Sequence, residues 1–146
     1  MIIREAKQTD VVRLVEIVRS SPEAGNWSAS EIESSLGEPQ RRCLVGVAED
    51  DGRVLGFVLA QCPVAGEAEI LTVAVDPSAR RQGVGRRLLR AVLEAMPGRI
   101  WLEVRRSSTA AQRLYQQLGF VEIGLRRGYY SSPIEDAVIM QFTDSQ

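Results

Sequence analysis

The chain contains no histidine. A Ser-His-Asp triad, an imidazole proton shuttle and histidine-ligated zinc are therefore excluded. Any acid–base work falls to Asp, Glu, Tyr, Lys, Cys or water. Cysteine is scarce: Cys43 and Cys62 stand far apart, without metal-ligand spacing. They are expected to be reduced core residues, with a disulfide as the alternative, and no metal site is expected. No apolar run approaches the ~20 residues of a spanning helix. Met1-Ile2-Ile3-Arg4-Glu5 lacks the basic start and long apolar core of a secretory signal, so a cytoplasmic location is expected. The net charge of −1 provides no global field for a nucleic acid or a membrane surface, and neither is expected as a partner. Repeats, linkers and low-complexity segments are missing too. What remains is a chain of 146 residues, 45% hydrophobic and 25% charged, the balance of one globular domain spanning 1–146.

The most informative stretch runs from Val73 to Arg90. Val73 and Val75 are β-branched and flank Ala74, as at the end of a strand. Asp76-Pro77 stops it, because proline has no N–H for a ladder. Gly83 and Gly85 follow, and then an amphipathic helix. Val84, Leu88, Leu89, Val92, Leu93 and Met96 recur at helical spacing, with Arg86, Arg87, Arg90 and Glu94 opposite. A strand that feeds a glycine loop at a helix start presents unpaired backbone N–H groups to an anion. Arg80, Arg81 and Arg86 add positive charge there. The stretch reads as a pyrophosphate cradle, with a plain strand-to-helix turn as the alternative. A dinucleotide fingerprint needs a third glycine where Leu88 stands. A P-loop needs Gly-Lys-Ser/Thr where Gly85-Arg86 stand. Both fail.

Along the rest of the chain, Met1 to Ala6 reads as a strand. Thr9 is placed to cap a helix over Asp10 to Ser20, with Val11, Leu14, Val15 and Val18 on one face. Ser28 and Glu31 have capping-box spacing for a second helix ending near Leu36. Cys43–Glu49 and Val54–Ala60 read as strands about an Asp50-Asp51-Gly52-Arg53 hairpin turn. Pro63 and Gly66 mark another turn before a strand over Glu67–Val75. Pro97-Gly98 closes the central helix. A strand over Arg99–Val104 alternates Ile100, Leu102 and Val104 with Trp101 and Glu103. Ser107, Ser108 and Thr109 offer a cap for a helix that carries Ala110, Ala111, Leu114, Tyr115 and Leu118 and ends at Gly119. Phe120–Gly128 and Ala137–Phe142 read as closing strands, with Tyr129-Tyr130-Ser131-Ser132-Pro133 between them. The order is α+β with one central sheet.

The segment Arg80-x-x-Gly83-x-Gly85 resembles the acetyl-CoA loop of the GCN5-related N-acetyltransferases. Trp101-Leu102-Glu103-Val104-Arg105, followed by Ala110 to Phe120, is more specific. It is similar to the ribosomal-protein-alanine N-acetyltransferase family, which acetylates the N-terminal amine of a small-subunit ribosomal protein. Asn26-Trp27-Ser28, Val73 to Pro77, Tyr129-Tyr130 and Glu135 to Met140 agree with that family, so the likeness covers nearly the whole chain. It implies a single-domain acyl-CoA N-acyltransferase fold, with a mixed sheet of six to seven strands flanked by four helices. It also implies acetyl-CoA as co-substrate, a protein N-terminus or other amine as acceptor, and a monomer or weak homodimer. Ser108 and Thr72 stand where the family usually, or often, has Asn near cofactor or substrate; hydroxyls replace only some amide hydrogen bonds.

Acetyl transfer from a thioester to an amine needs a neutral amine, a donor to the oxyanion and a proton near the departing thiolate. A terminal amine, with a reference pKa of about 7.7–8.0, is already ~10% neutral at pH 7, whereas lysine, near 10.4, is far below 1%. By the resemblance, Glu103 is the base and Tyr115 the general acid near the CoA sulfur. The plain alternatives are a surface glutamate paired with Arg105 or Arg106, and a tyrosine packed in the core. Glu69, on the strand before the glycine loop, is the second candidate base. Val73, Ala74 and Val75 are expected to offer backbone N–H groups to the oxyanion if a bulge frees them. Gln82, Gly83, Val84, Gly85 and Arg86 are expected around the pyrophosphate, with Arg81 as a charge partner and Ser108 near the cofactor. Arg87 and Arg90 fit a solvated helix face equally well. Tyr129 and Tyr130 either line a peptide groove or fill the sheet surface. A small-molecule amine or a lysine is the alternative acceptor, and a CoA-binding module without catalysis is the alternative class. The scheme fails if Glu103 and Tyr115 fall on opposite sides of the molecule.

Overall fold

The computed structural model describes residues 1–143, and the last three positions of the expected domain, 144–146, lie outside them. In chain order it contains β1 (Ile2–Glu5), α1 (Val11–Arg19), α2 (Ala29–Leu36), β2 (Arg41–Val47), β3 (Val54–Val64) and β4 (Glu67–Val75). α3 (Val84–Ala95), β5 (Arg99–Arg105), α4 (Thr109–Gln117), β6 (Val121–Ser131) and β7 (Ile134–Thr143) follow. Single 3-10 turns occupy Gln8–Asp10, Pro22–Ala24 and Pro77–Ala79. All seven strands form one sheet in the order β1-β2-β3-β4-β5-β7-β6. The expected α+β fold, a mixed sheet with four helices among the described residues, is the one observed.

The β4–β5 pair is parallel, and every other neighbouring pair is antiparallel. A parallel pair needs a crossover, and α3 supplies it. The sheet separates two apolar layers. On one face, Val84, Leu88, Leu89 and Val92 of α3 pack with Val58, Ile70, Ile100, Leu102 and Phe120. Each fully buried leucine there contributes roughly 1.5–3 kcal/mol of apolar burial. On the other face, Leu14, Ile17 and Val18 of α1 and Ile32 of α2 cover Val45, Phe57 and Leu59. This second layer takes strand residues from β2, β3 and β4 only. The β5 side chains on that face, Trp101, Glu103 and Arg105, stay half-buried.

Several boundaries differ from the expectation, each for a local reason. Thr9 caps nothing. The Asp10 carboxylate turns back to accept from Lys7 N at 2.8 Å and from both Arg4 guanidinium nitrogens at 2.9 and 3.1 Å. That closes a 3-10 turn before α1 begins. β3 continues through Pro63, because the β3–β4 register is irregular between Gln61 and Val64 and asks no ladder N–H of the proline. β6 continues through Tyr129 and Tyr130 instead of ending before a separate loop, with Tyr130 paired to Glu135, and β7 starts at Ile134. Both cysteines are free; Cys43 is buried as expected, but Cys62 is only half-buried. The Ser28–Glu31 capping box is present.

Two features of β4 position everything that follows. It is bulged: Leu59 pairs with Thr72 and Ala60 with Ile70, leaving Leu71 as the extra residue. It also pairs with β5 only at its start, Glu67 with Arg99, Ala68 with Ile100 and Glu69 with Trp101. Beyond Glu69 the two strands part.

Candidate active site

Past Glu69 and Trp101, β4 and β5 leave an opening in the middle of the sheet. The edges that face it, from Ile70 and from Leu102 onward, have no strand partner on that side among the described residues. Unpaired backbone in a protein interior calls for a hydrogen-bonding occupant. Val73, Ala74 and Val75 line the end of β4 along this opening, downstream of the bulge. An extended amide-bearing chain fits such edges as a strand would.

At the far end of β4 the chain turns through Asp76–Gly83 into α3. Asp76 accepts from the Ser78 hydroxyl at 2.6 Å and from Ser78 N at 2.8 Å and pairs with Arg13 of α1, bonds that hold the pKa of its carboxyl far below the usual range. Arg80 is not a free charge. Its guanidinium donates to Val75 O at 3.3 Å and to Ser20 O and Ser21 Oγ at 3.0 Å each. It braces the loop against α1. Arg81 is exposed and takes the left-handed φ of +65°, and it enters none of the ion pairs among the described residues. Gln82 is exposed, its amide 3.5 Å from Ser78 O.

Gly83 is the N-cap of α3 with φ +79°, and a Cβ built there would meet nothing within 4 Å. Gly85 would meet only Val75 Cγ2, at 3.6 Å. The N–H groups of Val84, Gly85 and Arg86 have no intrahelical acceptor by position. An open, side-chain-free helix start is what a diphosphate requires, so these residues fit that group. α3 can sit so close to the strands because Gly56 of β3 has no side chain. A Cβ there would lie 2.8 Å from Ala74 O and 3.1 Å from Val84 Cγ1. Arg86 reaches Gln117 at the end of α4, and Arg87 reaches Met1 O at 3.1 Å. Ser108 is the N-cap residue of α4, and its hydroxyl makes no capping bond. Thr72 faces away from the opening: it is buried and donates to Ala24 O at 2.9 Å, tying the Pro22–Ala24 turn to β4.

The proton-carrying groups approach from two sides. Tyr115 packs with Phe120 in the layer under α3 and α4, 8% exposed, with ring centroids 5.8 Å apart. Burial, followed by the neighbouring Tyr130, pushes its phenol up to about 12. Its hydroxyl has no hydrogen-bond partner among the described residues, yet no buried side-chain oxygen is unpartnered. The hydroxyl therefore reaches accessible space. Glu103 projects from the other face of β5 and pairs with Arg126, Nη1 to Oε2 at 2.8 Å. The expected alternatives do not hold this carboxylate: Arg105 pairs with Glu135 at 3.1 Å. Glu69, at the fork itself, accepts from Gln61 Nε2 at 3.0 Å. Burial raises its pKa most, the Gln61 bond opposes this, and the Glu103 charge raises it further.

Glu103 and Tyr115 thus start from opposite faces of the sheet, and only the gap between β4 and β5 lets them serve one centre. Tyr130 is the common neighbour. It is raised by burial and by Glu103, and it acts in turn on Tyr115. Its ring lies 4.3 Å under the Arg105 guanidinium and 5.0 Å from the Tyr129 ring. Sequence reasoning missed Arg126, Gln61 and the Arg105–Tyr130 stack. Strand alternation places Gln61 and Glu69 on one face once β3 is extended, but nothing in the sequence signals a pair that crosses an intervening strand.

A sheet opened beside a glycine-headed helix start, with Glu69 at the fork and Glu103 and Tyr115 on the two faces of β5, is an arrangement that fits an acyl-transfer site for a phosphate-bearing donor. The family model for the acetyltransferase (GNAT) family matches residues 11–120. The chain belongs to that family and is an N-acetyltransferase; the family's acetyl donor is acetyl-CoA. It is 40% identical over 120 residues, 78% of each chain, to the [ribosomal protein bS18]-alanine N-acetyltransferase of Escherichia coli strain K12. It is 38% identical over 120 residues, 79% of this chain and 74% of the other, to the N-alpha-acetyltransferase RimI of Mycobacterium tuberculosis. The crystal structure of the ribosomal-protein-S18-alanine N-acetyltransferase from Escherichia coli superposes with a TM-score of 0.88 and 32% identity, over 99% of this chain and 94% of that one.

Proposed function

We propose that this protein transfers the acetyl group of acetyl-CoA to the N-terminal α-amine of a protein, and that a ribosomal protein is the acceptor. The observation that carries the reading is the parting of β4 and β5 after Glu69 and Trp101, with the Gly83 helix start at one end and Glu69, Glu103 and Tyr115 about the opening. The relatives that act on a ribosomal alanine support the choice of acceptor. In this reading Gly83, Val84, Gly85 and Arg86 donate backbone N–H groups to the diphosphate, with Arg81 and Gln82 beside it and Ser108 across the opening on α4. Val73 and Val75, whose N–H groups point away from β3 in the antiparallel register, present them to the donor and to the acetyl oxygen, while Ala74 turns its N–H toward β3.

Glu103 takes the amine's proton. Glu69 supports a second assignment, because it is the carboxylate whose pKa is raised, and a raised carboxylate is the stronger base. Tyr115 holds its proton throughout the working range. Burial raises the phenol's pKa to about 12, so Tyr115 meets the departing thiolate as a protonated donor. Tyr115 therefore acts by donating a hydrogen bond to charge that grows on sulfur. Tyr115→Phe should keep acetyl-CoA binding and lower kcat by about 10²-fold or more, as read by thiol release and by titration of the cofactor. An unchanged kcat removes Tyr115 from the reaction.

The acceptor is tested by incubating the protein and acetyl-CoA with peptides that begin with Ala or Ser, with lysine peptides and with polyamines, and reading products by mass spectrometry. Acetylation of the Ala- or Ser-starting α-amines is expected. Turnover of polyamines or lysine peptides alone would refute the α-amine reading, and no thiol release with any amine would leave a binding module.

A further inference from the structure

The Glu103 carboxylate holds a cation before any acceptor arrives. Arg126 reaches it from β6 across the whole of β7. The partners differ in freedom. The Glu103 side chain is 10% exposed and fixed in the sheet, whereas that of Arg126 is 53% exposed. While paired with Glu103, the guanidinium also stacks 4.7 Å over the Tyr129 ring of its own strand. The Arg126 backbone pairs with Ala137 of β7, at the last rung before the ladder is interrupted. The β6–β7 register breaks between Arg126 and Tyr130. Gly128 lies there with φ +60°, its N–H given to Asp136 Oδ1 at 2.9 Å instead of to the ladder.

We propose that Arg126 is a placeholder cation, a positioning and selectivity residue that neutralises Glu103 in the free enzyme and yields this carboxylate to the ammonium of the arriving acceptor. The inference rests on reading Glu103 as the carboxylate that meets the acceptor. An α-amine is mostly protonated below pH 7, so it arrives carrying the charge that Arg126 supplies in its absence. No bond is made or broken; one cation replaces another. A partly exposed ion pair is weak, so the exchange is readily made, and the displaced guanidinium, on a side chain 53% exposed, has solvent to move into. The charged and titratable groups around Glu103 are Arg126 and Tyr130 from β6 and Glu69 from β4. None needs to titrate, because the group that changes charge is the acceptor's own amine. With Arg126 in place, charge alone does not secure the site, and an acceptor must bring further contacts to displace it.

The test uses the full chain with coenzyme A and a minimal α-ammonium probe, alaninamide, with binding followed by amide NMR shifts at pH 6.5 and pH 9.5. N-acetylalaninamide serves as the uncharged control. Arg126→Gln should bind alaninamide about threefold or more tighter than the wild type at pH 6.5. Arg126→Lys, which keeps the charge, should stay near the wild type. At pH 9.5, where the probe is neutral, the difference should close. Equal binding by wild type and Arg126→Gln at pH 6.5, or a gap that persists at pH 9.5, overturns the proposal. Because the readout is binding, it stands whether or not any peptide is acetylated. Failure of every α-amine peptide as a substrate refutes the acceptor reading separately.

Discussion

Glu69 sits where a carboxylate is least at ease. It is half-buried at the fork of the sheet, with the Glu103 charge nearby, and the Gln61 amide, with smaller help from the Arg126 and Arg41 charges, stabilises its anion. Its folded pKa is raised, so the folded protein keeps this proton to a higher pH than the unfolded chain does. Over that window the folded state binds more protons, and stability must fall as pH rises. The contribution is fully present below the ordinary glutamate value of about 4.3 and lost above the raised one. Glu69→Gln should therefore raise Tm relative to the wild type at pH 7.5, with the gain vanishing at pH 4 and below. If Glu69 is also the base, the more stable variant loses kcat; if Glu103 is, Glu103→Gln suffers the larger loss. Scanning calorimetry at the two pH values and one rate measurement per variant check both. Asp10 behaves oppositely. Its Arg4 and Lys7 bonds lower its pKa, so its contribution is present near neutrality and is lost as pH falls through the lowered value.

At the level of elements, the glycine-headed helix is held in place by bonds that the ligand never touches. Arg80 braces the loop to Val75, Ser20 and Ser21, and Arg13 holds Asp76. The position of α3 on the sheet depends on the bare backbone of Gly56. At Gly83, an alanine would pay only for its left-handed backbone, about 1–2 kcal/mol, since its Cβ has open space. In the proposed reading that space belongs to the diphosphate. Gly83→Ala should thus weaken acetyl-CoA binding by more than tenfold while lowering Tm by only a few degrees, as measured by titration and thermal unfolding. Much of this was legible beforehand, because the helical stripe of Val84, Leu88, Leu89 and Val92 and the alternation of Ile100, Leu102 and Val104 are local patterns. The misread ends were not local. Asp10, in its 3-10 turn, answers to Arg4 of β1. Pro63 is tolerated only because the facing register slips, and the Tyr129-Tyr130 strand is defined by β7. The parting of β4 from β5 and the Glu103–Arg126 pair depend on which strands become neighbours, which no stretch of sequence displays.

For the molecule as a whole, the sheet is two groups of strands joined by three parallel residue pairs and by the helices above them. α1 and α2 cover β2, β3 and β4, while α3 and α4 bridge toward β5. Occupation of the opening should stabilise the entire fold by linkage. At a ligand concentration about 100 times Kd the gain is ~2.7 kcal/mol, or roughly 5–10 °C in Tm for a chain of this size. Thermal unfolding with and without acetyl-CoA measures it. Gly83→Ala at the same ligand concentration should show a smaller increase. A shift of the same size in the variant would place the diphosphate elsewhere.

The three-rung junction between β4 and β5 has one more consequence. A sheet breached from top to bottom is a passage with two doors. In the proposed reading the thioester arm enters beside α3 and α4 and the amine past Glu103 and Tyr130, so neither reactant has to leave before the other is admitted. Such a layout favours turnover with both guests inside at once, and it makes the visiting arm a temporary eighth strand that mends the breach while the chemistry proceeds.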